Sequence, residues 1–217
     1  MAKAADIEVR CMDLLEFLNL YPLRAPRIMW FLGAGASVLA GLPTATTLTW
    51  EFKRALYCNK HKVSPTRFPN LEDSAFQSLV QSYFESEKGY PPLWSDEEYS
   101  FYFEKYLPDE GDRRRFLDKQ LSGIKPSYGH FCLGGLFALK QAYLVWTTNF
   151  DTLVERAAGQ DAITTHISDG LTVISLESPE KALDVFRDDR WPALVKLHGD
   201  FTERCMQNLT FWPETQV

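Results

Sequence analysis

Residues 28–43 read Ile28-Met29-Trp30-Phe31-Leu32-Gly33-Ala34-Gly35-Ala36-Ser37-Val38-Leu39-Ala40-Gly41-Leu42-Pro43. The first five are a continuous apolar run rather than an alternating one. Such a run is expected of a strand buried on both faces of a parallel sheet, and predicts the first central strand. Glycines follow at once, and Pro43 opens an amphipathic pattern over 44–57, with Leu48, Phe52, Ala55 and Leu56 on one side. Glycines at a strand-to-helix turn let the backbone approach a pyrophosphate, and the following helix offers free N–H groups and a positive dipole end. The predicted guest is a nucleotide phosphate. The dinucleotide loop of dehydrogenases needs Gly-x-Gly-x-x-Gly, and Val38 stands at the third glycine position. No Gly-Lys-Ser/Thr follows, which excludes a phosphate-binding loop of the ATPase kind.

Outward from this stretch, residues 7–20 carry apolar positions at helical spacing, ended by Pro22 and Pro26, and predict a lead-in helix within 1–27. Residues 58–126 hold half of the prolines and many aromatics. Their helical patterns over 73–87, 95–107 and 112–122 predict a helical insertion without strands. Next come a helix over 127–140, a strand over 143–148, a helix over 151–158, a strand over 171–176, a helix over 179–187 and a strand over 193–197. This alternation predicts an α/β fold, a Rossmann-like parallel sheet with helices on both faces and a helical insertion, spanning 28–217. A doubly wound sheet ordinarily has more strands, and only 209–212 hints at another, so the chain is expected to be a fragment of a longer protein.

The 217 residues include 23 Lys and Arg against 29 Asp and Glu, a net charge of −6, and no basic segment that could track a phosphate backbone. Direct nucleic-acid binding is therefore not expected. The one basic run, Arg113-Arg114-Arg115, is flanked by acids and reads as a solvated helix face. The four cysteines, Cys11, Cys58, Cys132 and Cys205, form no Cys-x-x-Cys pair, so neither a zinc ribbon nor a dithiol redox site is expected, and reduced thiols are the default. No apolar run approaches membrane-spanning length and no secretory leader is recognised, so the expected location is cytoplasmic, away from membranes.

Two further clusters carry chemistry. Thr147-Thr148-Asn149-Phe150-Asp151 stands where a strand ends and a helix begins, the edge of a parallel sheet at which ligands bind. Asn149 offers a donor and an acceptor, and ionised Asp151 only acceptors, a set suited to sugar hydroxyls and a carboxamide; either residue can equally cap the helix. Lys196-Leu197-His198-Gly199-Asp200 ends the last strand. A histidine there is placed to take a proton from a ribose hydroxyl or a water.

The three clusters, in this order, resemble the sirtuin superfamily. Its signature pairs a Gly-Ala-Gly-x-Ser loop and a Gly-Ile-Pro-like tripeptide with a Thr-x-Asn-x-Asp strand end and a His-Gly strand end. The stretch from Thr152 to Gly159 and the element Lys125-Pro126-Ser127 with His130 are similar to further parts of it. The resemblance implies that Gly33, Ala34, Gly35 and Ser37 line the phosphates and adjoining sugar of NAD. It implies that Asn149 holds the nicotinamide ribose or a water beside Thr148, that Asp151 grips the carboxamide, and that His198 is the general base. His130 is left structural, and His61 and His166 match nothing in the signature. The protein deacylases have Asp-Phe-Arg where this chain has Thr44-Ala45-Thr46, and a four-cysteine zinc ribbon where only Cys205 follows His198. The zinc-free branch with a helical insertion resembles the NAD hydrolases of bacterial anti-phage defence. That implies NAD as substrate, no metal, cleavage to nicotinamide and ADP-ribose, a fused or separate sensor or effector module, and a homo-oligomer. Protein deacylation, ADP-ribosyl transfer and NAD or ADP-ribose binding without cleavage are the alternatives. The aromatic stretch 83–106 is a further candidate, as an oligomer interface.

Overall fold

The structure is a computed structural model that describes residues 11–159 and 170–200. Four short strands form its centre: β1 (Met29–Leu32), β2 (Leu144–Thr147), β3 (Thr172–Ile174) and β4 (Ala193–Lys196). All pairings are parallel and the order is β1-β2-β4-β3, with Leu32 beside Thr147 and Thr147 beside Lys196. The carboxyl ends of the strands therefore share one edge, which presents Gly33, Thr148, Ser175 and Leu197.

Eight helices surround or extend this sheet among the described residues: α1 (Leu14–Arg24), α2 (Ala45–His61), α3 (Ser74–Ser86), α4 (Glu98–Tyr106), α5 (Glu110–Leu121), α6 (Tyr128–Ala138), α7 (Leu153–Ala158) and α8 (Lys181–Arg187). The steps from β1 to β2 and from β2 to β3 run one way along the sheet, and the step from β3 to β4 runs back. Right-handed crossovers then put α6 and α7 on one face and α8 on the other. Packing agrees for the first face: Leu133 and Phe137 of α6 and Val154 and Ala158 of α7 bury Val145, Leu194, Trp30 and Leu32. Gly134 permits the close approach of these two helices, since a Cβ there would stand 2.7 Å from the carbonyl oxygen of Ala157.

The α/β sheet with flanking helices is the one the alternating pattern predicts, but among the described residues β1 is not a central strand. It lies at the edge of the described sheet, and Met29 and Phe31, on the face away from α6, are 65% and 66% exposed. A continuous apolar run thus marked a strand correctly and its neighbours wrongly, because Trp30 and Leu32 alone meet the core. Helix α1 also runs past Pro22 to Arg24. The N–H that Pro22 lacks would have bonded the carbonyl of Leu18, a residue 55% exposed, so water can serve that group. The start of the lead-in region, His166, Cys205 and 209–212 lie outside the described residues; Cys11, Cys58 and Cys132 are unpaired.

The insertion has a core of its own. Phe76, Val80 and Phe84 of α3, Tyr102 and Phe103 of α4 and Leu117 of α5 pack against Leu48, Trp50 and Phe52 of α2. The rings of Phe52 and Phe103 stack at 5.0 Å. Most of the aromatic side chains of 83–106 are thereby spent inside the molecule, Tyr102 and Phe103 fully so, although Trp94 is 69% exposed. Lys53 is buried here, donating to Gln81 at 2.8 Å and to Glu98, with Trp50 and Tyr102 beneath its ammonium. The run at 113–115 is not uniformly solvated either. Arg113 is buried and its Nη1 donates to the carbonyls of Leu107 and Pro108, both at 2.8 Å, closing the turn between α4 and α5.

Candidate active site

β1 ends at Leu32, and after Gly33 the chain winds through one 3-10 helix, Ala34–Ala40, whose first N–H groups have no intrahelical partner. Gly41 closes it with φ 98°, a left-handed conformation that a side chain would strain. Gly33 faces the Thr148 hydroxyl, and the space where Gly35 would carry a Cβ is open to 4 Å, the room a ligand needs against the backbone.

This helix presents Ser37, 2% exposed, to the end of β2. Ser37 Oγ donates to Asp151 Oδ2 at 2.8 Å and accepts from Asn149 Nδ2 at 3.1 Å. Asp151 Oδ1 in turn accepts the Leu153 N–H at 3.1 Å, so Asp151 both holds Ser37 and fixes the start of α7. The Asn149 N–H is fixed by Thr147 Oγ1 at 3.0 Å, and the Thr148 N–H by the carbonyl of Leu32 at 3.1 Å. Two turns far apart in sequence are thus one hydrogen-bonded unit. Among the described residues the side-chain carbonyl and second N–H of Asn149 have no hydrogen-bond partner, and Asp151 keeps spare lone pairs.

A cleft of about 180 Å³ opens over this unit, lined by Ala34, Ser37, Thr148, Asn149 and Asp151 on the sheet side. Its opposite wall belongs to the insertion: Tyr99 of α4 and Leu117, Gln120 and Leu121 of α5, with Leu48 of α2 between. No sequence signal marks these wall residues, since their positions read as ordinary helical core or surface. Burial pushes the Tyr99 phenol up to about 12, so it stands as a neutral donor. Sites for drug-sized ligands span roughly 300–1,000 Å³, so the cleft in this form has room for only part of a ligand of that size.

His198 follows β4 on the same edge of the sheet, tied to β2 by the Leu197 N–H, which donates to the carbonyl of Thr147 at 2.9 Å. Gly199, with φ 88°, makes the turn beside it. Burial lowers the pKa of His198, which favours the neutral imidazole a base requires. His198 is not among the residues that line the cleft, nor are Gly33 and Gly35; the cleft lies toward β1 and the insertion, and His198 one strand farther along.

His130, buried at the start of α6, accepts the Ser127 N–H on Nδ1 at 3.1 Å and caps the helix. Among the described residues no group of three or more His, Cys, Asp and Glu side chains is arranged to hold a metal ion, and no helix is long and apolar enough to cross a membrane.

No curated protein matches the chain. A family model described as the SIR2-like domain matches residues 143–211, the segment that contains β2, the Thr147 to Asp151 turn, β4 and the His198 turn, and this match supports a sirtuin-like domain with an NAD-related function.

Proposed function

We propose that the protein is an NAD hydrolase that cuts the bond between nicotinamide and ribose. The observation that carries this reading is the Ser37, Asn149 and Asp151 unit, which two glycine-and-strand-end motifs assemble at the carboxyl edge of a parallel sheet. The glycine turn at Gly33 and Gly35, with Ala34, receives the phosphates on backbone N–H groups. Asn149 and Thr148 orient the ribose, and Asp151 accepts from the carboxamide. The insertion wall at Tyr99 and Leu117 excludes bulk water and strengthens these contacts. NAD supplies a cationic leaving group: the C–N bond breaks with its electron pair going to the nicotinamide ring, and a water oxygen bonds the anomeric carbon. His198 takes the proton that this water loses. Positioning and electrostatics account for most of the acceleration in such a site.

The same reading assigns NAD depletion in anti-phage defence as the role, with a sensor or effector module as partner, a homo-oligomer as the working form and the cytoplasm as its place. Production of nicotinamide and ADP-ribose in equal amounts from NAD tests the activity; NAD that survives prolonged incubation with the assembled protein contradicts it. A second reading, NAD binding without cleavage, is favoured by the position of His198 outside the cleft lining. It predicts that NAD raises the melting temperature and is not consumed.

A further inference from the structure

The last residue of β4, Lys196, points into the same side of the sheet as Thr147 and is 1% exposed. Its Nζ donates to the carbonyl of Asp151 at 2.7 Å and that of Phe150 at 3.3 Å, to Glu155 Oε1 at 3.0 Å and to Asp200 Oδ2. One ammonium therefore ties together three segments: the turn that carries Asn149 and Asp151, the first turn of α7 through Glu155, and the turn that carries His198, through Asp200. Burial alone would lower its pKa, but the two carboxylates outweigh that and raise it, so the ammonium stays charged. The Glu155 carboxyl is raised as well, because its burial outweighs the opposing pull of the Lys196 ammonium.

A buried ion pair is a weak means of stabilising a fold, because a well-packed apolar side chain of similar volume does as well or better. An apolar side chain could not bond two inward-facing carbonyls or reach Asp200. We propose that Lys196 is a positioning residue: it fixes the backbone from which Asn149 and Asp151 project and couples that turn to the His198 turn, so that the two halves of the site form together. This rests on the reading of Asn149, Asp151 and His198 as site residues, and the contacts themselves do not depend on which ligand they serve.

Lys196→Met alone would leave two buried carboxylates without the ammonium they share and risks unfolding, so the test is Lys196→Met combined with Glu155→Gln and Asp200→Asn, which removes both carboxylates together with that ammonium. Hydrogen–deuterium exchange is followed on peptides covering 148–153 and, as the reference, 76–84 of α3, with NAD turnover measured on the same samples. Positioning predicts at least tenfold faster exchange in 148–153, unchanged exchange in 76–84, and, where the parent consumes NAD, a kcat at least tenfold lower with a smaller change in KM. Equal acceleration in both peptides means a general loss of stability and overturns the proposal. Unchanged exchange in 148–153 overturns it as well. The exchange result stands whether or not the parent turns over NAD, so a failure of the hydrolase reading is separable from a failure of this one.

Discussion

The hydroxyl of Ser37 donates a 2.8 Å hydrogen bond to the carboxylate of Asp151 across 114 residues of sequence, and the side-chain amide of Asn149 closes on the same oxygen at 3.1 Å. Ser37 comes from the turn after β1 and Asp151 from the turn after β2, so the bond exists only when the parallel pairing is made. Site and sheet are coupled through it.

Ser37→Ala removes the shared oxygen and leaves Asp151 Oδ2 and an Asn149 N–H without their partner in a largely buried place. A stranded buried group costs about 1–3 kcal/mol, and the loss is expected in urea unfolding, together with weaker NAD binding in titration.

Asn149 and Asp151 should separate by stability. Asn149→Ala leaves α7 untouched, so its melting temperature is expected to match the parent while NAD turnover falls by about 100-fold or more. Asp151→Ala also removes the bond to the Leu153 N–H, and a lost cap of this kind costs about 1 kcal/mol. It should lose both activity and several degrees of melting temperature in paired thermal and turnover assays.

The insertion wall should govern affinity. Tyr99→Phe with Gln120→Ala keeps the ring packing of Tyr99 on Phe52, 6.4 Å between centroids, and removes two polar groups from the cleft. Steady-state kinetics are expected to show KM raised severalfold, with kcat and melting temperature close to the parent.

Acid should weaken the start of α6. The Ser127 N–H donates to Nδ1 of His130, so that nitrogen carries no proton in the folded state, and burial lowers its pKa despite the opposing charge of Asp151. An unfolded histidine titrates near 6.5, so at pH below about 6.5 the unfolded chain binds more protons, and stability falls as pH drops toward the lowered folded value. The lowered pKa of His198 acts with the same sign. Urea unfolding at pH 7.5 and pH 5 should therefore show a larger loss in the parent than in His130→Gln; equal losses would remove His130 as a cause.

How much was legible in the sequence follows from what each residue answers to. The strand ends at Leu32, Thr147 and Lys196 and the helices over α2, α3, α6 and α7 were readable because apolar periodicity is a local signal. That Ser37, Asn149 and Asp151 would converge followed from strand-end placement, and their direct contact from the parallel pairing. The edge position of β1 was hidden, since Met29 and Phe31 are as apolar as Trp30 and Leu32 and only strand order tells them apart. The wall formed by Tyr99, Leu117 and Gln120 was hidden too, because helix packing in the insertion, with no periodic trace of its own, swings those side chains over the cleft. Lys196 read as the polar end of a strand, and its burial appears only where α7 covers it.

The most direct test of NAD hydrolysis is NAD consumption by the parent and by His198→Ala side by side, with nicotinamide and ADP-ribose separated by chromatography. A hydrolase with His198 as its base releases both products equally in the parent and at a rate at least 100-fold lower in the variant, the scale of a lost general base. Intact NAD with the parent, or undiminished release with His198→Ala, would contradict it.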